Sequence, residues 1–215
     1  MNSDFERSNT VGANHPVSSF RRLERVPLLL MMLYVGLAGI SALFLVLIGA
    51  YAYTRLHNGE GNGSGYPLPR FFSLSTVVLL VSSYVLAQSK RLYAQDDLPA
   101  LARCLGATFL LSSIFAGLQF QGWQEMLQQG FNFTGKSSST FVYLMSGLHV
   151  AHVLGGMLFL LVLLVRTHHA SRDAVRSLVF IRNPYRRLQL RMITLYWHFI
   201  DAVWIALFAS FLFLY

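Results

Sequence analysis

The apolar residues of this chain fall into five long runs, separated by shorter polar segments. Each run has 18 to 26 residues, which is close to the roughly 20 that cross about 30 Å of hydrocarbon as a helix. The pattern therefore predicts an all-α integral membrane bundle of five transmembrane helices within residues 28–215, after a polar N-terminal arm at residues 1–27. The predicted spans are about 28–53, 71–88, 100–122, 140–165 and 192–214.

The segments between the spans predict loops. Gly59–Pro69 is too rich in glycine and proline to continue a helix, and it predicts an exposed loop. Trp123–Ser139 predicts a polar loop, and Arg166–Arg191 predicts a basic loop. None of these segments is long enough to form a separate soluble domain.

Charge is distributed unevenly along the chain. Hydrophobic residues make up 54% of it and charged residues 12%, so a water-facing surface could not be covered. The formal net charge is +8, but the arginines are confined to segments between apolar runs, which argues against nucleic acid as a partner. Fourteen of the Lys and Arg residues lie on the side of the N-terminal arm and three on the other. The positive-inside rule then places the N-terminus in the cytoplasm and the C-terminus outside.

Motifs of soluble enzymes are missing from the sequence. It has no Cys-x-x-Cys, no Gly-x-x-x-x-Gly-Lys and no dinucleotide-binding fingerprint. The single cysteine, Cys104, has no second cysteine with which to form an internal disulfide. No residue is therefore predicted to be catalytic, to ligate a metal or to bind a cofactor.

A few ionisable residues lie inside the predicted spans. Asp201 is near the middle of the last span, where a charged Asp costs roughly 2.5–3.5 kcal/mol on insertion scales. His198 lies three residues earlier on the same helix face, and His149 and His152 share a face of the fourth span. The two spans run antiparallel, so we expect these four side chains to meet in one polar layer. Glu125 lies nearer a span end.

Three interpretations of this layer compete. In the first, the histidines and Asp201 satisfy one another, backbone carbonyls and water, and hold two helices together. In the second, they relay protons or bind a lipid headgroup, because ionisable groups inside a membrane are functional candidates. In the third, the histidines ligate haem or a metal; this is the weakest, because only one facing pair of histidines could be proposed.

Small residues recur every fourth position on two of the spans. Gly147, Ala151 and Gly155 form such a stripe on the fourth span, on a different face from its histidines. The last span has a similar stripe of Ala202, Ala206 and Ser210. We expect both stripes to pack closely against protein neighbours.

Two motifs carry a resemblance to a known family. The run Tyr196–Trp204 closely resembles the Tyr-Trp-His-Phe-Val-Asp-x-x-Trp signature of cytochrome c oxidase subunit III, a haem–copper oxidase subunit. The run Gly147–Gly156 is similar to that family's Gly-x-His-x-x-His-Val-x-x-Gly stretch, and Gln121–Glu125 with Phe133–Gly135 is also similar. The similarity covers most of the chain and is strongest from about Gly106 onward.

The resemblance implies the short five-helix form of the subunit, in the inner (cytoplasmic) membrane of a bacterium. It implies an accessory, non-redox subunit that stabilises the catalytic subunit and supports proton uptake and turnover stability. Haem and copper are expected in partner subunits and a bound phospholipid in this chain. The implied partners are the catalytic subunit I, the other oxidase subunits, membrane lipid and a larger respiratory supercomplex. Family motif positions are occupied by Glu125, His149, His152, His198 and Asp201.

One departure from the family pattern stands out. Many relatives have a membrane-embedded glutamate in the helix that matches the first span, whereas Leu28–Tyr53 contains no acidic residue. A proton-collecting role through that position is therefore not expected. Two alternatives stay open: the corresponding subunit of a quinol oxidase or nitric oxide reductase, and a small membrane transporter or haem-carrying membrane protein.

Overall fold

The structure is a computed structural model that describes residues 28–57, 70–130 and 137–214, and all the regular elements among these residues are helices. Its helices are α1 Leu28–His57, α2 Arg70–Ala87, α3 Ser89–Ala94, α4 Leu98–Gln128, α5 Ser137–Ser171, α6 Ala174–Arg182 and α7 Pro184–Leu214. Five helical segments are long and apolar enough to cross a membrane: α1, α2 continued by α3, α4, α5 and α7. The predicted all-α membrane bundle is thus confirmed.

The long helices extend beyond the predicted spans. Helix α4 has 31 residues, which corresponds to about 46 Å and so exceeds the hydrocarbon thickness of about 30 Å. The predicted basic loop at Arg166–Arg191 is wrong, because this segment consists of the end of α5, all of α6 and the start of α7. The first part of the predicted polar loop at Trp123–Ser139 is helical too. The N-terminal arm and the loop Gly59–Pro69 lie outside the described residues.

Local capping explains why helices form in these polar segments. The Asp173 side chain accepts a hydrogen bond from the Val175 amide at 3.1 Å and so caps α6. Asn183 accepts one from the Tyr185 amide at 3.0 Å, and Pro184 follows it at the first position of α7. These caps satisfy amides that the first helical turn leaves without a partner. The basic segment is therefore almost entirely helical, with short interruptions before α6 and before α7.

The helices pack with a defined register, and all the packed pairs of spans are antiparallel except α1 and α7, which run in the same direction. Helix α2 packs along α4, α4 along α5, and α5 along α7, while α7 also contacts α1 and α2. His149 on α5 lies beside Trp204 on α7, with 5.0 Å between their ring centroids. Seven residues further along α5, Gly156 faces Tyr196 and Trp197 of α7. These contacts place His152 and Asp201 at nearly the same depth.

The outer surface of the bundle is apolar. Val35, Val46 and Leu158 are 74%, 71% and 67% exposed, respectively. In water such a surface would drive aggregation, whereas in a bilayer it matches the hydrocarbon. Shape and hydrogen bonds between helices, rather than an inside–outside difference in hydrophobicity, therefore hold the bundle together.

Candidate functional site

His149 lies in an aromatic enclosure at the centre of the bundle. It is fully buried, and its ring is surrounded by Phe44 of α1, Phe115 of α4 and Trp204 of α7, at centroid distances of 6.4, 5.9 and 5.0 Å. Neither ring nitrogen has a hydrogen-bond partner among the described residues. The packing of three helices around one ring suits a neutral imidazole, because a buried charge without a partner is costly.

His152 is directed back onto its own helix. Its Nδ1 lies 2.7 Å from the Leu148 carbonyl oxygen, which can only accept, so Nδ1 carries the proton. The His152 backbone carbonyl in turn accepts a hydrogen bond of 2.9 Å from the hydroxyl of Tyr196 on α7. This segment therefore connects α5 to α7 through the backbone of His152 rather than through its imidazole.

His198 and Asp201 face helix α2. The Ser83 hydroxyl and His198 Nδ1 form a hydrogen bond of 2.7 Å between α2 and α7. Ser83 also lies beside Asp201, but neither carboxyl oxygen has a hydrogen bond of acceptable geometry in the described part of the chain. Asp201 is 4% exposed, so its carboxyl group is closed off from the surface of this subunit.

The predicted polar layer is therefore wrong in its contacts. His149 and His152 are at the depth of Asp201, as the antiparallel register requires, but they do not bond to it or to His198. Two residues three apart on a helix differ by about 60° in direction, and that difference sends the polar groups of α5 and α7 towards different neighbours. Their arrangement does not support the part of the first interpretation in which they satisfy one another, whereas the bond of His152 to the Leu148 carbonyl agrees with the part that invokes backbone carbonyls.

Glu125 lies apart from the other candidates. It is near the end of α4, ten residues or about 15 Å from the level of Phe115, which contacts His149. It is half-buried, and its Oε2 has no hydrogen-bond partner among the described residues. The five candidates thus do not form a single cluster, and the described part of the chain contains no group of three His, Cys, Asp or Glu that could hold a metal ion.

Several polar contacts between helices were not expected from the sequence. The Trp204 indole donates to the Thr76 hydroxyl at 2.9 Å, and the Trp123 indole donates to the Ser146 hydroxyl at 3.0 Å. The Gln119 amide donates to the Ser75 hydroxyl at 2.8 Å. The available signal was the number of Ser and Thr residues in the second span, since hydroxyl groups often bond across helices in membranes.

The small-residue stripes point mostly away from the bundle. Ala151 and Gly155 are exposed, and a Cβ at Gly155 would have nothing within 4 Å. Ala202 and Ala206 are exposed as well. Close packing of these stripes is therefore not provided by the rest of the described chain. Gly156, next to the stripe, is the glycine that makes the close contact with α7.

Comparison with known proteins connects this geometry to a family. A family model described as cytochrome c oxidase subunit III matches residues 67–215. The chain is 29% identical over 177 residues to a cytochrome c oxidase subunit 3 of Bacillus sp. (strain PS3), covering 81% of this chain and 80% of that protein. It is 28% identical over 177 residues to the subunit 3 of Corynebacterium diphtheriae, covering 80% and 82%.

A subunit of a quinol oxidase is similar to this chain to the same degree. The chain is 30% identical over 172 residues to a cytochrome bo(3) ubiquinol oxidase subunit 3 of Pseudomonas aeruginosa, covering 77% of this chain and 75% of that protein. The matched region includes α2 to α7, and with them His149, His152, His198 and Asp201. The chain therefore belongs to the cytochrome c oxidase subunit III family, and it is a multi-pass membrane subunit III of the haem–copper oxidases.

Proposed function

We propose that this chain is an accessory, non-redox subunit that stabilises the catalytic subunit of a respiratory oxidase and holds phospholipid at its surface. The observation that carries this proposal is the distribution of its polar groups. Each of four pairs of packed helices is joined by at least one hydrogen bond: α2 and α4, α4 and α5, α5 and α7, and α2 and α7. Polar groups spread over every such contact are typical of residues that hold helices together.

The outer face of α1 supports a role in assembly. This helix exposes Val35, Leu45 and Val46, and a Cβ at Gly36 or Gly39 would meet nothing within 4 Å. A helix that leaves so much of its surface outside its own bundle is free to pack against another subunit or lipid. Small residues allow the close backbone approach that such packing between membrane helices needs.

Copurification tests this function. The chain is tagged, the complex is extracted from native membranes in a mild detergent, and its visible spectrum is recorded. We expect haem-containing subunits to copurify, and we expect the isolated chain to be colourless. A chain that purifies alone at its native abundance, or that absorbs as a haem protein by itself, would contradict the proposal.

A quinol oxidase is the second candidate for the parent complex. It is favoured by the 30% identity to the ubiquinol oxidase subunit of Pseudomonas aeruginosa, which matches the similarity to the cytochrome c oxidase subunits. The copurified complex is to be assayed with reduced cytochrome c and with ubiquinol in parallel. Oxidation of ubiquinol alone would assign the chain to a quinol oxidase.

We further propose that the N-terminus is cytoplasmic and the C-terminus lies outside the inner membrane of a bacterium. The ends of the bundle that carry Lys90, Arg166 and Arg191 lie on the same side as the N-terminus of α1, because the spans alternate in direction. A C-terminal epitope should be removed by protease added to intact spheroplasts, and an N-terminal one should be protected. The reverse result would overturn this orientation.

A further inference from the structure

One polar side chain lies on the outside of the bundle at membrane depth. His198 is an exposed residue of α7, and α7 is one of the helices long and apolar enough to cross a membrane. It lies seven residues after Arg191, and its partner on α2, Ser83, lies seven residues before Lys90. Because both cations lie at the same end of the bundle, both helices place this imidazole about 10 Å deeper in the membrane than the charged ends of the spans.

One nitrogen of the His198 ring is left without a partner by the described part of the chain. Nδ1 lies 2.7 Å from the Ser83 hydroxyl oxygen, and Nε2 forms no hydrogen bond with any residue that the structure describes. In a neutral imidazole one nitrogen donates and the other accepts, so Nε2 needs a partner whichever nitrogen carries the proton. Facing hydrocarbon without such a partner costs free energy, because acyl chains offer no hydrogen-bonding atom.

Small side chains extend from His198 along the same side of α7. Ala202 and Ala206 are exposed and lie one and two helical turns further on. Ile205, which lies between them in sequence, is 45% exposed. We refer to His198, Ala202, Ile205 and Ala206 as the outer face of α7. Alanine allows the backbone of a neighbouring membrane helix to approach closely, so the shape of this face suits a helix.

Hydrogen bonds to α2 hold the outer face of α7 in a fixed orientation. The Ser83 hydroxyl bonds to His198, and the Trp204 indole donates to the Thr76 hydroxyl at 2.9 Å. The Trp204 side chain is fully buried and opposes rotation of α7 about its axis. A surface that is already ordered loses little conformational entropy when a partner binds. The outer face of α7 is therefore preorganised for contact with another molecule.

The depth and chemistry of this face identify its occupant. A lipid acyl chain cannot bond to Nε2 of His198, and the charged headgroups lie at the level of Lys90 and Arg191, about 10 Å away. A transmembrane helix from another subunit can present a hydroxyl or amide side chain at this depth, and such groups both donate and accept. They therefore satisfy Nε2 in either tautomer.

We infer that the outer face of α7 packs against a transmembrane helix of another subunit, and that Nε2 of His198 bonds to a Ser, Thr, Asn or Gln side chain of that helix. The alanines of this face permit the close approach that a bond of about 3 Å between two helices requires. This inference rests on the proposed function, because it adds a second face, besides that of α1, through which the accessory subunit joins its complex.

Photocrosslinking in native membranes tests this contact. Benzoylphenylalanine is introduced at Ile205 on the outer face and, as a matched control, at Ile114 on α4. The two isoleucines are 45% and 44% exposed, and they lie 14 and 11 residues from the cations Arg191 and Arg103 of their own helices. We expect the Ile205 position to crosslink to a transmembrane helix of a subunit that copurifies with haem, and the Ile114 position to give little of that product. Adducts of Ile205 with lipid alone or with a second copy of this chain, or equal yields from both positions, would overturn the proposal.

Two substitutions of His198 separate the outer bond from the bond to Ser83. The amide nitrogen of Gln comes near the place of Nε2, whereas that of Asn comes near the place of Nδ1. On dilution of the purified complex into detergent, we expect His198→Gln to release the crosslinked subunit at the unmodified rate. We expect His198→Asn to release it about threefold faster, which corresponds to the average hydrogen bond between membrane helices. The reverse order, or equal rates for the two variants, would overturn the proposed contact.

The haem content of each preparation separates this inference from the proposed function. Absence of haem with the unmodified chain would refute the accessory function. Normal haem content, together with no crosslink from Ile205 to another subunit, would refute only the outer face of α7 as the place of contact.

Discussion

The contact of Gly156 with helix α7 offers the sharpest test of the helix arrangement. A Cβ at Gly156 would lie 2.8 Å from Cε1 of Tyr196 and 3.2 Å from Trp197. The optimal separation of two carbon atoms is about 3.5–4.0 Å, so both contacts would be repulsive. Trp197 is 2% exposed, and the Tyr196 ring is tied by its hydroxyl to the His152 carbonyl. Neither ring can move away freely.

The adjacent Gly155 provides a matched control. It is on the same helix, but a Cβ there would have nothing within 4 Å. Both Gly→Ala substitutions gain about 1 kcal/mol of helix propensity, so this gain cancels in the comparison. Overpacking at Gly156 costs about 1–3 kcal/mol. We expect Gly156→Ala to be about 2 kcal/mol less stable than Gly155→Ala, or about thirtyfold in the unfolding equilibrium.

The measurement is reversible unfolding of the purified chain in mixed detergent micelles, followed by circular dichroism. A third variant, Tyr196→Phe, releases the ring from His152, and the double variant with Gly156→Ala should be less destabilised than the sum of the two single changes. Equal stability of the Gly155 and Gly156 variants would refute the close approach of α5 and α7.

The same two variants also report on assembly, because a loss of copurifying subunits with Gly155→Ala alone would show that its exposed face meets a partner.

Three further substitutions test polar groups inside the spans. Trp204→Phe removes the donor to Thr76 and should lower the free energy of unfolding by at least about 0.6 kcal/mol, the average contribution of a hydrogen bond between membrane helices, measured in the same micelle assay. His198→Ala removes the partner of Ser83, and we expect less haem to copurify with each tagged chain. Asp201→Asn should speed inactivation during turnover and leave the initial electron-transfer rate nearly unchanged; immediate loss of activity in a fully assembled complex would instead indicate direct chemistry at this residue.

Much of the fold follows from the pattern of apolar runs. Inside a membrane the backbone N–H and C=O groups find no water, and a helix is the simplest structure that pairs all of them with one another. Each apolar run of sufficient length therefore becomes one helix. The ends of the helices do not follow from this rule. Hydrophobicity ends at the membrane surface, whereas the caps at Asp173 and Asn183 allow helix to continue in the basic segment.

The sequence predicts the depth of the candidate residues in the membrane but not the direction in which their side chains point. The register of α5 against α7 places His152 and Asp201 at one level, as two antiparallel helices require. Which neighbour a side chain meets depends on the rotation of each helix about its axis. That rotation is set by close contacts such as Gly156 against Tyr196, and by the contact of Phe72 with Gly122. A sequence pattern of polar residues alone does not contain this information.

The magnitudes of the two kinds of contact indicate which one sets the arrangement of the helices. Hydrogen bonds between membrane helices contribute about 0.6 kcal/mol each on average, because the separated helices also find partners. One overpacked contact costs about 1–3 kcal/mol, as much as several such bonds together. A Cβ at Gly122 would lie 2.5 Å from the fully buried Phe72 ring. We therefore expect a substitution screen for folded protein to reject alanine at Gly122 and Gly156 and to tolerate valine at Thr76. The opposite pattern would show that hydrogen bonds, and not close packing, orient these helices.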